Sequence, residues 1–390
     1  MSQDNSKSND WKGLGDLIAI AADRLTTPVR DVHHAITDRW SSLAGPLSEP
    51  ARMTSRAVTA PIYESIRLTG VGVGRAIRFV ASTQAGSDAL QPLWGSKRGS
   101  GVQAFFNGLW GDELDRQQST LGIEFSLRST SGDIISPCRT ALTEAFPGTS
   151  GRIVVLLHGL GDTEHAWQSK NQETALPQAL AERSFTPLLI RYNTGLELTR
   201  NANLLSDLLD ELVQAWPVPV EDVSLVGHSM GGLVARAALL DAGAESAWTR
   251  KTGHVVTLGS PHLGAPLERG VGLAANGLRR TPESAPISKF LDQRSAGIKD
   301  LRFGSIDDTN EQSNVEFHHI AGAITTAPNH IIGRLIGDLI VPVASATGVG
   351  KNRTVASEDL RVMGGRNHRA LLHDPVIHDE ILEWFDANPS

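Results

Sequence analysis

From Arg152 onward, short apolar runs alternate with stretches of helical period. Ile153-Val-Val-Leu-Leu157 is almost continuously apolar, as expected of a parallel strand covered on both faces. Helical stretches are predicted near Thr174–Arg183 and Leu198–Trp216, with Pro187–Arg191 as a strand between them. Val223-Ser-Leu-Val226 and Val255-Val-Thr-Leu258 are further buried strands, followed by Val315–Ile320 and Leu360–Met363; Ile377–Phe385 closes the pattern as a helix. Repeated βα units of this kind predict an α/β fold with a mostly parallel sheet and loops at the strands' carboxyl ends available for chemistry. Upstream, Ile123, Phe125 and Leu127 alternate, which predicts an antiparallel edge strand over Ile123–Arg128.

The first hundred residues follow another period. Residues 1–10 are polar and read as a disordered tip. Leu14, Leu17, Ile18, Ala21 and Leu25 share one helical face, Pro28 opens a second helix carrying Val29, Val32, Ile36, Trp40 and Leu43, and a third helix runs from about Met53 to Val80. Pro61 and Gly70-Val-Gly-Val-Gly74 in that third stretch predict a break or a close helix contact; with no strand before them, the glycines are not a dinucleotide fingerprint. Ser82–Gly101 reads as a linker, and Val102–Leu114 as a short helix packed on the next domain. The expected organisation is an N-terminal helical region over 1–100 and an α/β domain over 101–390.

Composition narrows the function classes. The chain has 390 residues, a formal net charge of −7 and a single cysteine, Cys138. The mild acidity gives no reason to expect nucleic acid, and one cysteine excludes an intrachain disulfide. With no signal-peptide pattern at the start and no apolar stretch long enough to span a bilayer, the expectation is a cytoplasmic protein.

The chemistry centres on Gly227-His-Ser-Met-Gly-Gly232. The strand Val223–Val226 precedes this G-x-S-x-G and apolar residues at helical spacing follow it, which is the context of a nucleophile elbow rather than of a chance Gly-Ser turn. Ser229 needs a histidine base held by a carboxylate, and in chains whose serine sits on a G-x-S-x-G elbow of this kind both follow it in sequence. His368 lies between the last strand and the closing helix, where a loop can bring its ring over the sheet. His373 and His378 fit a solvated loop and a helix face better, and His318 and His319 fall within a strand pattern. Asp338 follows Val315–Ile320, one unit before the histidine loop; Asp307 and Asp308 are its rivals. Two backbone N–H groups must face the developing oxyanion: that of Met230, after the serine, and that of Leu160 in His158-Gly-Leu-Gly161.

These motifs, with Gly259-Ser-Pro-His-Leu-Gly264 and Gly337-Asp-Leu-Ile-Val-Pro342, resemble the α/β-hydrolase lipases over about Arg152–Trp384, and within them the bacterial triacylglycerol lipase and glycosylphosphatidylinositol inositol-deacylase-like group. The resemblance implies an α/β-hydrolase fold and hydrolysis of carboxylic esters through an acyl-enzyme on Ser229, His368 and Asp338. It implies no organic cofactor, and no metal is expected. Pro261–Gly264 would border the site, with His262 structural rather than a base. The substrate-binding surface is assigned to His158, Gly159, His228, Pro261, His262 and Leu263, and the substrate to a lipid-like acyl ester. A thioesterase or acyltransferase would use the same machinery. A non-catalytic lipid- or partner-binding protein of this fold is the rival from another class. For the N-terminal helices two readings compete: a cap packed on the catalytic domain, or arginine-bearing amphipathic helices lying on a membrane or lipid surface.

Overall fold

The computed structural model describes residues 8–24, 26, 30, 49–83, 97–168, 175–243, 246–264, 295–301, 315–327, 330, 334, 336–350 and 353–387. The helix expected after Pro28, most of the expected linker, and Asp307 and Asp308 lie outside them. The chain divides into two compact units. Of the described residues, the first holds those up to Gln103 together with Trp110–Gly122 and Ser295, and the second holds the remainder.

The second unit is an eight-stranded sheet in the order β2-β1-β4-β3-β5-β6-β7-β8. Its strands are β1 (Ser126–Arg128), β2 (Ile134–Ile135), β3 (Arg152–Leu157), β4 (Thr186–Arg191), β5 (Asp222–His228), β6 (Thr252–Leu258), β7 (Glu316–Ala323) and β8 (Asp359–Gly364). Strands β3 to β8 run parallel, and β1 pairs antiparallel with both β2 and β4 at one edge. The predicted edge strand is thus real but limited to its last three residues, and β2 supplies a pairing that the sequence pattern did not suggest.

Helices cover both faces, which is why the parallel strands read as unbroken apolar runs. On one face, Leu205, Leu209 and Leu212 of the amphipathic helix Leu198–Ala215 pack with Leu233, Val234 and Leu239 of the helix Met230–Ala242 against Val155, Leu225 and Val255. The latter helix is buried along Met230–Leu239, so it is apolar nearly all round. On the other face, Leu176 and Leu180 of the helix Leu176–Glu182 and Ile377, Ile381 and Trp384 of the closing helix Pro375–Asp386 pack on Val154, Val226 and Val256.

In the first unit, residues 8–24 are helical and Glu49–Ala81 form one long helix that continues through Pro61. The glycine run marks a close crossing, as one of the two expectations for it had it. A Cβ on Gly74 would lie 2.3 Å from the Gly15 carbonyl oxygen, and one on Gly15 would lie 2.4 Å from that of Gly74, so only glycine allows the backbones this near. The buried stripe of the first helix is shifted from the predicted face: Leu17 and Ile20 are buried, and so is Asp16. The aspartate is tolerated there because Arg78 Nη1 and Ser119 Oγ both donate to it at 2.5 Å. The helix Lys97–Arg116 is longer than expected and is kinked at Trp110, where φ is −138°. Among the described residues no helix is long and apolar enough to cross a membrane.

Candidate active site

Strand β5 ends at His228 and the next helix begins at Met230, so the chain reverses at a single residue, Ser229. That residue has φ 53° and ψ −119°, a conformation rarely adopted by a side-chain-bearing residue and held only when its surroundings over-determine it. The surroundings here are tight. A Cβ on Gly227 would sit 2.3 Å from the Gly232 nitrogen, and one on Gly231 would sit 2.4 Å from the Leu157 carbonyl oxygen. The Ser229 N–H donates to the Leu258 carbonyl at 2.8 Å, which ties the turn to β6.

Beyond β7 the chain turns at Gly337, Asp338 and Leu339, and both Gly337 (φ 67°) and Leu339 (φ 86°) take positive φ. The turn buries the Asp338 carboxylate completely. Its Oδ1 accepts from the N–H groups of Ile340 (3.0 Å) and Val341 (2.8 Å), and its Oδ2 lies 2.6 Å from His368 Nδ1. The His368 N–H also donates to the Asp338 carbonyl at 3.0 Å. A third contact comes from the elbow itself: His228 Nε2 donates to the His368 carbonyl at 3.0 Å, and the two rings lie 4.6 Å apart. His368 is therefore fixed at its ring, its N–H and its carbonyl. Ser229 and His368 are not hydrogen-bonded to one another, but both line one cavity of about 410 Å³.

The backbone N–H groups of Leu160 and Met230 have no partner among the described residues. The first belongs to the loop after β3, and the second begins a helix, where N–H groups have no intrahelical acceptor. The loop is anchored from beneath by His158: Nδ1 donates to the Gly159 carbonyl at 3.0 Å, Tyr192 Oη donates to the His158 carbonyl at 2.7 Å, and the two rings stack at 4.4 Å.

Burial controls the histidines around the site. It pulls His228 and His262 well below the ordinary imidazole range, helped by the neighbouring His368 and His319 respectively, and it lowers His158 as well. His262 belongs to a buried hydrogen-bond chain. Arg236 Nη1 donates to His262 Nδ1 at 3.0 Å, so His262 Nε2 carries the proton and donates to Thr257 Oγ1 at 3.0 Å; Thr257 in turn donates to His319 Nδ1 at 2.8 Å.

Residues 154–376, more than half of the chain, match the model of the Alpha/beta hydrolase family. The chain belongs to that family. The chain resembles several solved structures at low identity. Bacillus licheniformis lipase BlEst2 in mature form is 18% identical, with 67% of this chain and 97% of that one covered at a TM-score of 0.43. Pyrococcus furiosus esterase Pf2001 is 14% identical over 62% and 84%, with a TM-score of 0.40. Staphylococcus hyicus lipase is 12% identical over 62% and 96%, with a TM-score of 0.36. No curated protein matches the chain by sequence.

Of the residues assigned to substrate binding, Gly159, His228 and Pro261 line the cavity together with Leu160, whereas His158, His262 and Leu263 do not. Ile298, Leu301, Ile340 and Val341 also belong to the lining, as do Asp162 and Arg369, whose charges lie 3.7 Å apart. Ile340 and Val341 follow Asp338 within the segment Gly337–Pro342 and are within reach of that motif. Ile298 and Leu301 sit in and just after the five-residue helix Ala296–Asp300, too short for periodicity to reveal.

Proposed function

We propose that the chain is a carboxylic-ester hydrolase, a serine esterase or lipase. The observation that carries this reading is one cavity lined by both a conformationally strained serine and a histidine bonded to a buried carboxylate, with the N–H groups of cavity-lining Leu160 and of Met230, next after the serine, having no partner among the described residues. Ser229 Oγ attacks the acyl carbon while its proton passes to His368 Nε2. The Nδ1–H of His368 stays on Asp338, which fixes the tautomer and favours the imidazolium. The oxyanion is received by the N–H groups of Leu160 and Met230. His368 returns the proton to the leaving alkoxide; water then attacks the acyl-enzyme, giving up a proton to His368, which passes it to Ser229 Oγ as the acyl–oxygen bond breaks and the carboxylic acid leaves.

A lipid-like acyl group suits the lining, which is apolar at Leu160, Pro261, Ile298, Leu301, Ile340 and Val341, and exposed Leu339 and Ile340 extend that character outward. The segment Gly259-Ser-Pro-His-Leu-Gly264 favours the bacterial triacylglycerol lipase and inositol-deacylase-like branch. Thioester hydrolysis and acyl transfer to an alcohol use the same groups. Assay of the purified chain on p-nitrophenyl esters of increasing acyl length tests the reading. Turnover that rises from acetate to medium chains and vanishes in Ser229→Ala is expected; no turnover on any ester or thioester counts against it.

One observation favours a membrane-surface role for the N-terminal region, taken as residues 1–100 beside a catalytic domain of 101–390 in a cytoplasmic protein. Ile62, Ile66, Val73 and Val80 recur every four or seven residues along the long helix, and each is about half exposed. Sedimentation of the full chain with anionic liposomes at low salt tests this; protein that stays in the supernatant excludes it.

A further inference from the structure

At the amino end of the same sheet, the polar residues of β6 and β7 gather around a point that the proposed ester chemistry does not use. His254 and Glu316 are register partners on adjacent parallel strands. His318 follows Glu316 by two residues and so faces the same side of the sheet. His254 Nδ1 lies 3.2 Å from His318 Nε2, and Glu316 Oε2 lies 3.5 Å from the first and 3.7 Å from the second.

Hydrogen bonding alone does not account for this triangle. Two imidazole nitrogens at 3.2 Å share one proton, which leaves the carboxylate oxygen facing both without a good hydrogen bond to either. A tetrahedral ion with bonds of about 2.0–2.1 Å holds its ligands about 3.3 Å apart, close to the three separations here. The surroundings fit as well. If Nε2 of His318 binds the ion, its Nδ1 carries a proton, and that atom, buried and without a hydrogen bond, points to Asp359 Oδ2 at 3.6 Å. A carboxylate behind a ligating histidine is the arrangement that fixes tautomer and ring orientation at metal centres. The last turn of the closing helix walls the site: Trp384 stacks on His318 at 4.3 Å and Phe385 lies 5.3 Å from His254. Glu316, with 38% of its side chain exposed, leaves a solvent-facing side for a fourth, water ligand.

We propose that His254 Nδ1, His318 Nε2 and Glu316 Oε2 bind one divalent transition ion of the zinc type. Two imidazoles and a carboxylate suit zinc far better than magnesium or calcium. His254 is four residues before the end of β6, about 13 Å along the strand from the carboxyl end, so the ion clamps β6 to β7, and through Asp359 to β8, without touching the substrate. The inference stands independently of what Ser229 does.

Calorimetric titration of the full chain with Zn²⁺, after dialysis against a chelator, tests it together with thermal melting. One ion per chain is expected, with a Kd of about 1 µM or tighter. The melting temperature should rise by several degrees at zinc concentrations about a hundredfold above Kd, and Mg²⁺ should produce neither effect. His254→Gln and His318→Gln should abolish uptake. Glu316→Gln, at a half-exposed position that does not threaten the fold, should weaken it at least about tenfold. Absence of saturable uptake overturns the proposal, as does uptake by Glu316→Gln as tight as that of the parent chain, which would place the ion at another set of histidines.

Discussion

The two ends of the parallel sheet each bring histidine and carboxylate together, and they do so by opposite means. At the carboxyl end the groups come from loops that are distant in sequence: Ser229, Asp338 and His368 sit on or beside sharp turns, two of which hold non-glycine residues at positive φ. At the amino end His254, Glu316 and His318 come straight from regular strands, placed by register and by the two-residue repeat of the pleat. Loops can aim N–H groups and side chains at a point outside the sheet and surround it with a cavity, which a reaction requires. Strands can only set side chains at fixed spacing on one face, which suits a clamp. If this contrast holds, damage at the first end removes turnover and spares the fold, whereas damage at the second lowers stability and spares turnover.

The largest effect belongs to the serine. Ser229→Ala should lower ester turnover on the order of 10⁴-fold or more with the melting temperature little changed; a drop under about tenfold would move the nucleophile elsewhere. Asp338→Asn should follow with a loss on the order of 10³-fold or more, since an amide cannot keep the His368 ring in its tautomer. Equal loss of stability and turnover in that variant would make the aspartate structural.

Gly227→Ala probes the elbow from within. A Cβ at 2.3 Å from backbone cannot be absorbed by a side-chain shift, so a loss of about 3 kcal/mol or more in unfolding free energy is expected by denaturant titration; a neutral result would mean that the turn is looser than described. His228→Phe keeps the ring but removes the bond to the His368 carbonyl. It should cut kcat about tenfold with KM nearly unchanged, and a change confined to KM would make His228 a substrate contact instead.

A smaller effect separates buried from working histidines by pH. Burial holds His228 and His262 well below the ordinary range in the folded chain, so the fold binds fewer protons there than the unfolded chain does. Their contribution to stability is complete above the unfolded value of about 6.5 and is lost as pH falls toward the folded values. The melting temperature should therefore drop between pH 7 and pH 5, before most carboxylates titrate. A melting temperature that rises over that interval contradicts the buried neutral state. The smallest effect is at the amino end: removing divalent metal with a chelator should lower the melting temperature and leave turnover on a soluble ester within about twofold.

Much of this was legible in the sequence, for identifiable reasons. The elbow announces itself because its glycines are forced by backbone contacts and its flanks by a buried strand and an apolar helix. Asp338 and His368 could be nominated because the acid and the base follow an elbow serine in sequence, each in a connection after a predicted strand. The start of β6 was missed because Thr252-Gly-His254 looks polar, yet His254 is buried against His318 and Phe385. The buried stripe of the first helix was misplaced by the same cause in reverse: Asp16 enters the interior only because Arg78 and Ser119 meet it from elsewhere in the chain. In both places a polar side chain is buried with a partner distant in sequence, and a periodicity of apolar residues has no access to such pairs. The cavity wall from Ile298 and Leu301 was illegible for want of any pattern at all.

The central claim is that the turn at Ser229 and the His368–Asp338 pair make this one hydroxyl a nucleophile. Labelling with a fluorophosphonate, read by peptide mass, measures that without any knowledge of the substrate. The account predicts one adduct per chain on Ser229, labelling slowed at least about a hundredfold in His368→Ala and none on that peptide in Ser229→Ala. Labelling that leaves Ser229 unmodified, or that proceeds at the parent rate without His368, contradicts it.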